Sequence, residues 1–255
     1  MPQQYDLTVV SNDVLTPHMR RIVLHGDDLR EFPDDQESGY VKVAFTDAEG
    51  DRVLRSYTIR RFDAQTLQLT LDFVDHGDSG PASKWAGEVD PGAPVSIFGP
   101  GEKKLVDPTA DWVLLGGDLS ALPALSVNLE VLPQDAKGYA VVEVPSEADI
   151  QPLTPPTGVE LIWVVNSDAR QPNKRLTERI RELPWLDGTP YPWFAGEFEG
   201  MRAMRSYFRD ERGVHRKAMY LSCYWKLGEP DEGMKRAKRR DAEADEAALQ
   251  EAANG

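Results

Sequence analysis

Arg55-Ser56-Tyr57-Thr58 and, 22 residues further on, Gly80-Pro81-Ala82-Ser83-Lys84-Trp85 decide how this chain is read. The first stretch alternates a fixed cation and an aromatic plate on a predicted strand, so Arg55 and Tyr57 share one face of the pleat. That face suits a phosphate and a flat ring. The second is a small-residue turn running into a predicted helix. Pro81 fits the first turn, where backbone N–H groups lack intrahelical acceptors and converge on an anion such as a pyrophosphate. Together they suit a flavin nucleotide. Alone, the tetrapeptide reads equally well as a strand alternating surface and core residues, so the rest of the chain has to decide.

Working outward, residues 5 to 105 carry short β segments at 7–10, 19–24, 40–45, 55–60, 67–73 and 95–98. They are separated by turn clusters such as Asp47-Ala48-Glu49-Gly50 and Asp90-Pro91-Gly92. Six short strands with one brief helix near 82–85 predict a small antiparallel barrel. After Asp107-Pro108 the rhythm changes. Trp112-Val113-Leu114-Leu115 is an apolar strand ending in Gly116-Gly117-Asp118, and a helix follows with Leu122, Leu125, Leu129 and Leu132 on one face. Strands at 139–144 and 161–165 precede a helix carrying Leu176, Ile180 and Leu183. Trp193-Phe194-Ala195 then leads through Gly196-Glu197 into a helix with Met201, Met204 and Phe208, and a last strand lies near 218–224.

This alternation predicts a parallel α/β domain that binds ligands beyond the strand C-termini, where the loops at Gly116-Gly117-Asp118 and Ala195-Gly196-Glu197 sit. Beyond Gly228 the chain is alanine-rich and charged, with Asp231/Lys235 and Glu232/Arg236 at i,i+4 spacing. It reads as an exposed helix fraying toward Gly255. The expected division is a barrel domain over 1–107, an α/β domain over 108–228 and a helical tail over 229–255.

Hydrophobic residues make up 40% and charged residues 28% of the 255, the balance of a soluble globular protein. No apolar run approaches the ~18 residues of a spanning helix. Met1-Pro2-Gln3-Gln4-Tyr5 has neither a basic nor an apolar leader region, which points to the cytoplasm. Cys223 is the single cysteine, as a reducing interior allows. A net charge of −14 argues against nucleic-acid or anionic-membrane partners, yet permits a local basic pocket for an anionic small molecule.

A barrel with Arg-x-Tyr-Thr, an anion-suited turn and an α/β domain opening on a glycine loop resembles the ferredoxin reductase superfamily. Five signatures in order resemble the siderophore-interacting protein family more narrowly. They are Asp72-Phe73-Val74-Asp75-His76-Gly77, the turn from Gly80 to Ala86, Gly117-Asp118-Leu119-Ser120-Ala121-Leu122-Pro123-Ala124, Ala195-Gly196-Glu197, and Tyr224-Trp225-Lys226-Leu227-Gly228. The resemblance implies a two-domain ferredoxin-reductase-like fold: an antiparallel six-stranded FAD barrel, an α/β parallel-sheet nucleotide domain and a C-terminal helical extension.

The resemblance also implies roles. Arg55 and Thr58 go toward the flavin phosphate and ribityl side, and Tyr57 against the isoalloxazine. Asp72, Val74 and His76 surround the adenine half, and Gly80, Ala82 and Ser83 cradle the pyrophosphate. Gly117, Asp118, Ser120 and Glu197 belong to the nicotinamide-nucleotide side, and Trp225 is a further cofactor-binding residue. The implied activity moves electrons from NAD(P)H or reduced ferredoxin through FAD to a ferric siderophore, releasing Fe(II) in the cytoplasm from a monomeric enzyme. The long tail resembles the subgroup for which NADH or ferredoxin is the donor instead of NADPH. A basic wall would meet the iron chelate, with candidates Lys42, Lys103 or Lys104, and Lys226, and no protein metal ligand is required.

Plainer readings stay open. His76 reads also as a solvated turn residue, Trp85 as a core residue under the short helix, and Glu197 as a carboxylate compensating a helix dipole. The lysines read also as surface residues and Cys223 as a buried thiol. Arg170, Lys174 and Arg175 are either a 2′-phosphate contact or a cationic helix start. At the level of the whole chain, a siderophore carrier without turnover and a general flavin reductase with another acceptor remain alternatives.

Overall fold

The computed structural model describes residues 2–75 and 80–254. Strands β1 (Gln3–Thr16), β2 (Met19–His25), β3 (Tyr40–Thr46), β4 (Arg52–Asp63), β5 (Gln68–Val74) and β6 (Pro94–Gly101) close into a barrel. Its order is β1-β2-β5-β4-β3-β6, with every neighbouring pair antiparallel. Closure leaves no edge strand exposed. Period-2 alternation supplies the core: Val41, Val43 and Phe45 from β3 meet Leu69, Leu71 and Phe73 from β5. Helix α1 (Pro81–Glu88) seats Trp85 against Phe45 and Phe73, at ring separations of 5.4 and 5.7 Å. Trp85 is therefore a packing residue.

Strand β1 runs well past the expected 7–10, because its start pairs with β6 and its end with β2. Two register irregularities and polar residues Ser11, Asn12 and Asp13 hide that length from a periodicity search. Asn12 is not idle there: its amide donates to the carbonyls of Ala86 and Val89 at 2.8 and 3.0 Å, tying down the C-terminus of α1.

The second half holds β7 (Trp112–Gly117), α2 (Leu122–Val131), β8 (Lys137–Val144), β9 (Gly158–Val165), α3 (Lys174–Glu182), β10 (Pro190–Glu197), α4 (Phe198–Ser206) and β11 (Tyr220–Trp225). The sheet is parallel in the order β11-β10-β7-β8-β9. Strand β7 is apolar throughout because both its faces are covered: Val113 and Leu115 point to one core, Trp112 and Leu114 to the other. The chain builds outward through β8 and β9, then crosses to β10 on the other side of β7. The reversal between β7 and β10 is a topological switch point, where open α/β sheets bind ligands.

The tail departs from expectation. It forms α5 (Asp231–Asn254), but its first half is docked. Met234 and Ala237 are buried in the core that α3 and α4 build. Arg205 donates twice to Asp241 at 2.8 Å, and Arg209 to Asp245 at 2.6 Å. Met234, Ala237, Asp241 and Asp245 form one helical stripe, half apolar and half ionic, so a search for apolar periodicity misses it.

Barrel and sheet domain touch through Met19 and Val74, which pack into the core above α2. His18 Nδ1 lies 2.8 Å from Asp149 Oδ2 across the same boundary, and Arg60 pairs with Glu130. Among the described residues no helix is long and apolar enough to cross a membrane.

Candidate flavin and nucleotide site

A cavity of about 890 Å³ opens between the barrel, the sheet and α5. Its barrel wall comes from β3, β4, β5 and α1. The register sets Lys42 opposite Ser56, Val43 opposite Arg55 and Val41 opposite Tyr57. Lys42, Arg55, Tyr57, Thr58, Asp72 and Val74 line it, joined by Ala82 and Ser83 from the first turn of α1. Gly80 stands at φ 91, left-handed backbone that strains any side chain, and turns the chain into that helix. No acid occupies the first turn, so the helix keeps its positive end for an anion. His76 lies outside the described residues.

Two of these groups have neighbours worth noting. Tyr57 rests on Phe73 at 3.9 Å between ring centroids, and burial raises its phenol above the usual tyrosine value. Asp72 is buried and takes both bonds of a fork from Arg21, at 2.7 and 2.8 Å, across the β2–β5 pair. Its carboxylate is therefore already neutralised.

The sheet wall is organised by a residue the sequence reading missed. Asn173, at φ 59 just before α3, is buried and its side chain does not cap the helix. Its side-chain amide N–H donates to Asp118 Oδ2 at 3.0 Å, its backbone N–H to Glu143 Oε1 at 2.7 Å, and its side-chain Oδ1 accepts from the Glu197 N–H at 2.8 Å. The ends of β7, β8 and β10 are thus tied to one residue. Gly196 makes this possible, since a Cβ there would stand 2.5 Å from the Asn173 oxygen. Burial raises the Glu143 carboxyl above its usual value, against hydrogen bonds from Asn173 and Asn166 that pull it down.

Asp118 accepts from the N–H and hydroxyl of Ser120 at 2.9 and 2.5 Å and from Trp225 Nε1 at 2.9 Å. Glu197 caps α4 through the N–H groups of Glu199 and Gly200, and its other oxygen accepts from the Leu227 N–H at 3.1 Å. Both acids are buried. Ser120 and Trp225 line the cavity, whereas Gly117, Asp118 and Glu197 stand behind it. Cys223 is buried, donates to the Trp225 carbonyl at 3.1 Å and has its thiol pushed up to about 12 by burial. It is no thiolate at neutral pH.

Lys42 and Lys226 both line the cavity. Lys103 does not; its ammonium lies 2.8 Å from Asp35, while the neighbouring Lys104 lines the cavity and pairs with Glu102 at 3.1 Å. The cations at the start of α3 serve local partners. Arg170 holds Asp168 down at about 2, Lys174 donates to Gln171, and Arg175 to the Val165 carbonyl. The described residues form no His, Cys, Asp or Glu cluster able to hold a metal ion.

The residues present fit FAD. The cavity lies toward the upper end of the ~300–1,000 Å³ usual for ligand sites, and it offers a guanidinium, apolar walls and an acid-free helix start. A closed six-stranded barrel before a parallel sheet with glycine loops at its switch point is the ferredoxin-reductase-like fold.

Residues 110–228 match the family described as siderophore-interacting protein, and residues 8–54 and 47–104 match the siderophore-interacting FAD-binding domain. The chain belongs to the siderophore-interacting protein family. It is 34% identical over 247 residues to the ferric vibriobactin reductase ViuB of Vibrio cholerae, covering 89% of this chain and 90% of that one. The solved structure of the siderophore-interacting protein SipS from Aeromonas hydrophila superposes with a TM-score of 0.84 at 34% identity, over 95% of this chain and 99% of that one. A siderophore utilization protein from T. fusca gives 0.82 at 30%, over 90% and 95%.

Proposed function

We propose that this protein is a cytoplasmic reductase of ferric siderophores, taking electrons from a reduced nicotinamide nucleotide or reduced ferredoxin and releasing iron as Fe(II). The observation that carries the reading is a cavity walled by the barrel, the sheet and α5 together, with a flavin-suited surface on the barrel side and the lysines Lys42 and Lys226 beside it. FAD, when bound, supplies the conversion between a two-electron donor and one-electron acceptors. Iron enters as substrate inside its chelate. Reduction weakens the hold of hard oxygen donors on the metal, so the protein needs to position the chelate and not to ligate the iron.

The proposed roles are those the family resemblance implies. Arg55 and Thr58 hold the flavin phosphate and ribityl side, Tyr57 backs the ring, Asp72 and Val74 shape the adenine half, and Gly80, Ala82 and Ser83 receive the pyrophosphate. Gly117 and Ser120 belong to the donor side. Asp118, Glu197 and Trp225 position that wall, because their polar atoms are engaged within the protein. NADH is the favoured nucleotide; no cation at the start of α3 is left without a local partner for a 2′-phosphate among Arg170, Lys174 and Arg175.

The test is an anaerobic titration. The purified protein should be yellow, bleach with NADH or a ferredoxin system, and recover its colour on addition of a ferric chelate. A colourless protein that still binds the chelate would make it a carrier. Recovery with free flavin or an iron–sulfur protein, but not with ferric chelates, would make it a reductase for another acceptor.

A further inference from the structure

The chain carries a net charge of −14, yet seven of the side chains lining the cavity are Lys or Arg and only three are Asp or Glu. Most of these cations are matched. Arg55 lies 3.7 and 3.5 Å from Asp231 and Glu232, Lys235 pairs with Asp231, Lys104 with Glu102, and Arg239 with Glu243. Three lysines in the wall have no ion-pair partner among the described residues: Lys42 on β3, Lys226 after β11, and Lys238 on α5. A cleft lined by one sign of unpaired charge concentrates ligands of the other sign.

Lys238 is held in place by its neighbours. It lies next to Ala237 and one turn after Met234, both buried, and further along the same side its helix is tied by the Arg205–Asp241 and Arg209–Asp245 pairs. Its ammonium donates to the Cys223 carbonyl at 3.1 Å, at the end of the strand that leads to Trp225 and Lys226. Two of its three donors remain for a ligand. The helical extension is thus a wall of the site, carrying a positioned cation.

We propose that Lys238 is a specificity-determining residue of the acceptor site, favouring ferric chelates with net negative charge over neutral chelates of similar size. This rests on the ferric-siderophore reading above. An anionic chelate gains Coulomb energy from an unpaired ammonium, whereas a neutral one offers only bond dipoles, so the residue acts on the ratio of the two affinities and makes that ratio depend on salt.

The experiment uses the FAD-loaded full chain and two probes, a trianionic ferric tris-catecholate and a neutral ferric tris-hydroxamate. Dissociation constants are measured by equilibrium dialysis at low and high salt. Lys238→Ala should lower the catecholate-to-hydroxamate affinity ratio about tenfold at low salt, the scale of one charge-assisted contact. Lys238→Glu should lower it further, Lys238→Arg should restore it, and high salt should compress these differences. If the wild type binds both probes and the ratio is unchanged in the Ala and Glu variants, or if both affinities fall together, the inference is overturned while the reductase reading stands. If the wild type binds neither probe, both fall.

Discussion

On the barrel wall, Arg55, Thr58 and the first turn of α1 line the cavity itself. On the sheet wall, Asp118 and Glu197 turn their polar groups into the protein. In sequence both walls offer a glycine turn with a polar residue close by: Gly80 before Ser83, Gly117 before Asp118 and Gly196 before Glu197. The difference lies in what the fold brings behind them. Among the described residues nothing lies within 4 Å of where a Cβ would stand at Gly80, whereas Asn173 arrives behind Gly196 and collects three strand ends. A buried acid enclosed by donors from several strand ends is a brace, whereas the Arg55 guanidinium lines the cavity and has only the looser Asp231 and Glu232 contacts beside it.

Asp118 tests the contrast between the two walls most directly. Removing its carboxylate in Asp118→Ala strands the Trp225 indole N–H, the Asn173 amide and Ser120 together, so the free energy of unfolding in urea should fall by about 3 kcal/mol. Unchanged stability with slower oxidation of the donor would instead make Asp118 a ligand contact and dissolve the contrast. Next is Met234→Ala, which empties a buried position under α5. About 2 kcal/mol should be lost, and hydrogen exchange should quicken along α5 ahead of the sheet. Uniform exchange along the chain would mean that the helix is docked by its ion pairs alone.

Arg55→Ala is the mirror image of Asp118→Ala. FAD should bind about tenfold or more weakly, while the unfolding free energy of the flavin-free protein moves by no more than about 0.5 kcal/mol. Equal losses in both measurements would show that Arg55 is as structural as Asp118.

The smallest effect lies at the domain boundary. Burial pushes the Asp149 carboxyl up, but hydrogen bonds from Ser146 and from the ring and N–H of His18 outweigh it and hold the group below its usual value. A lowered carboxyl stabilises the fold above the unfolded value near pH ~4 and loses that contribution as pH falls through the folded value. Asp149→Asn should therefore flatten the acid limb of the stability curve by about 1 kcal/mol or less. An acid limb identical to the wild type would remove Asp149 from the account.

Much of the architecture was legible in advance. Strands β2 to β6 fell close to the predicted segments because their alternation is strong, and Trp112-Val113-Leu114-Leu115 read as a buried parallel strand because both its faces are covered. Less could be read where polar groups do the packing. The length of β1 escaped because Ser11, Asn12 and Asp13 interrupt its pattern. The docking of α5 escaped because half of its contact stripe is Asp241 and Asp245. Lys103 and Lys104 are adjacent in sequence, and only the course of the chain after β6 decides which of them meets the cavity.

The two kinds of sheet, the glycine loops at the switch point and the flavin-suited pair at Arg55 and Gly80 are written into local stretches of chain, since period, turn chemistry and helix-start chemistry are local properties. Which polar side chains are spent depends on folding. Asn173 meets Asp118 across 55 positions and Lys238 meets the Cys223 carbonyl across 15. A hydrogen bond or ion pair depends on distances of a few ångströms, and such distances between remote residues exist only once the chain has folded.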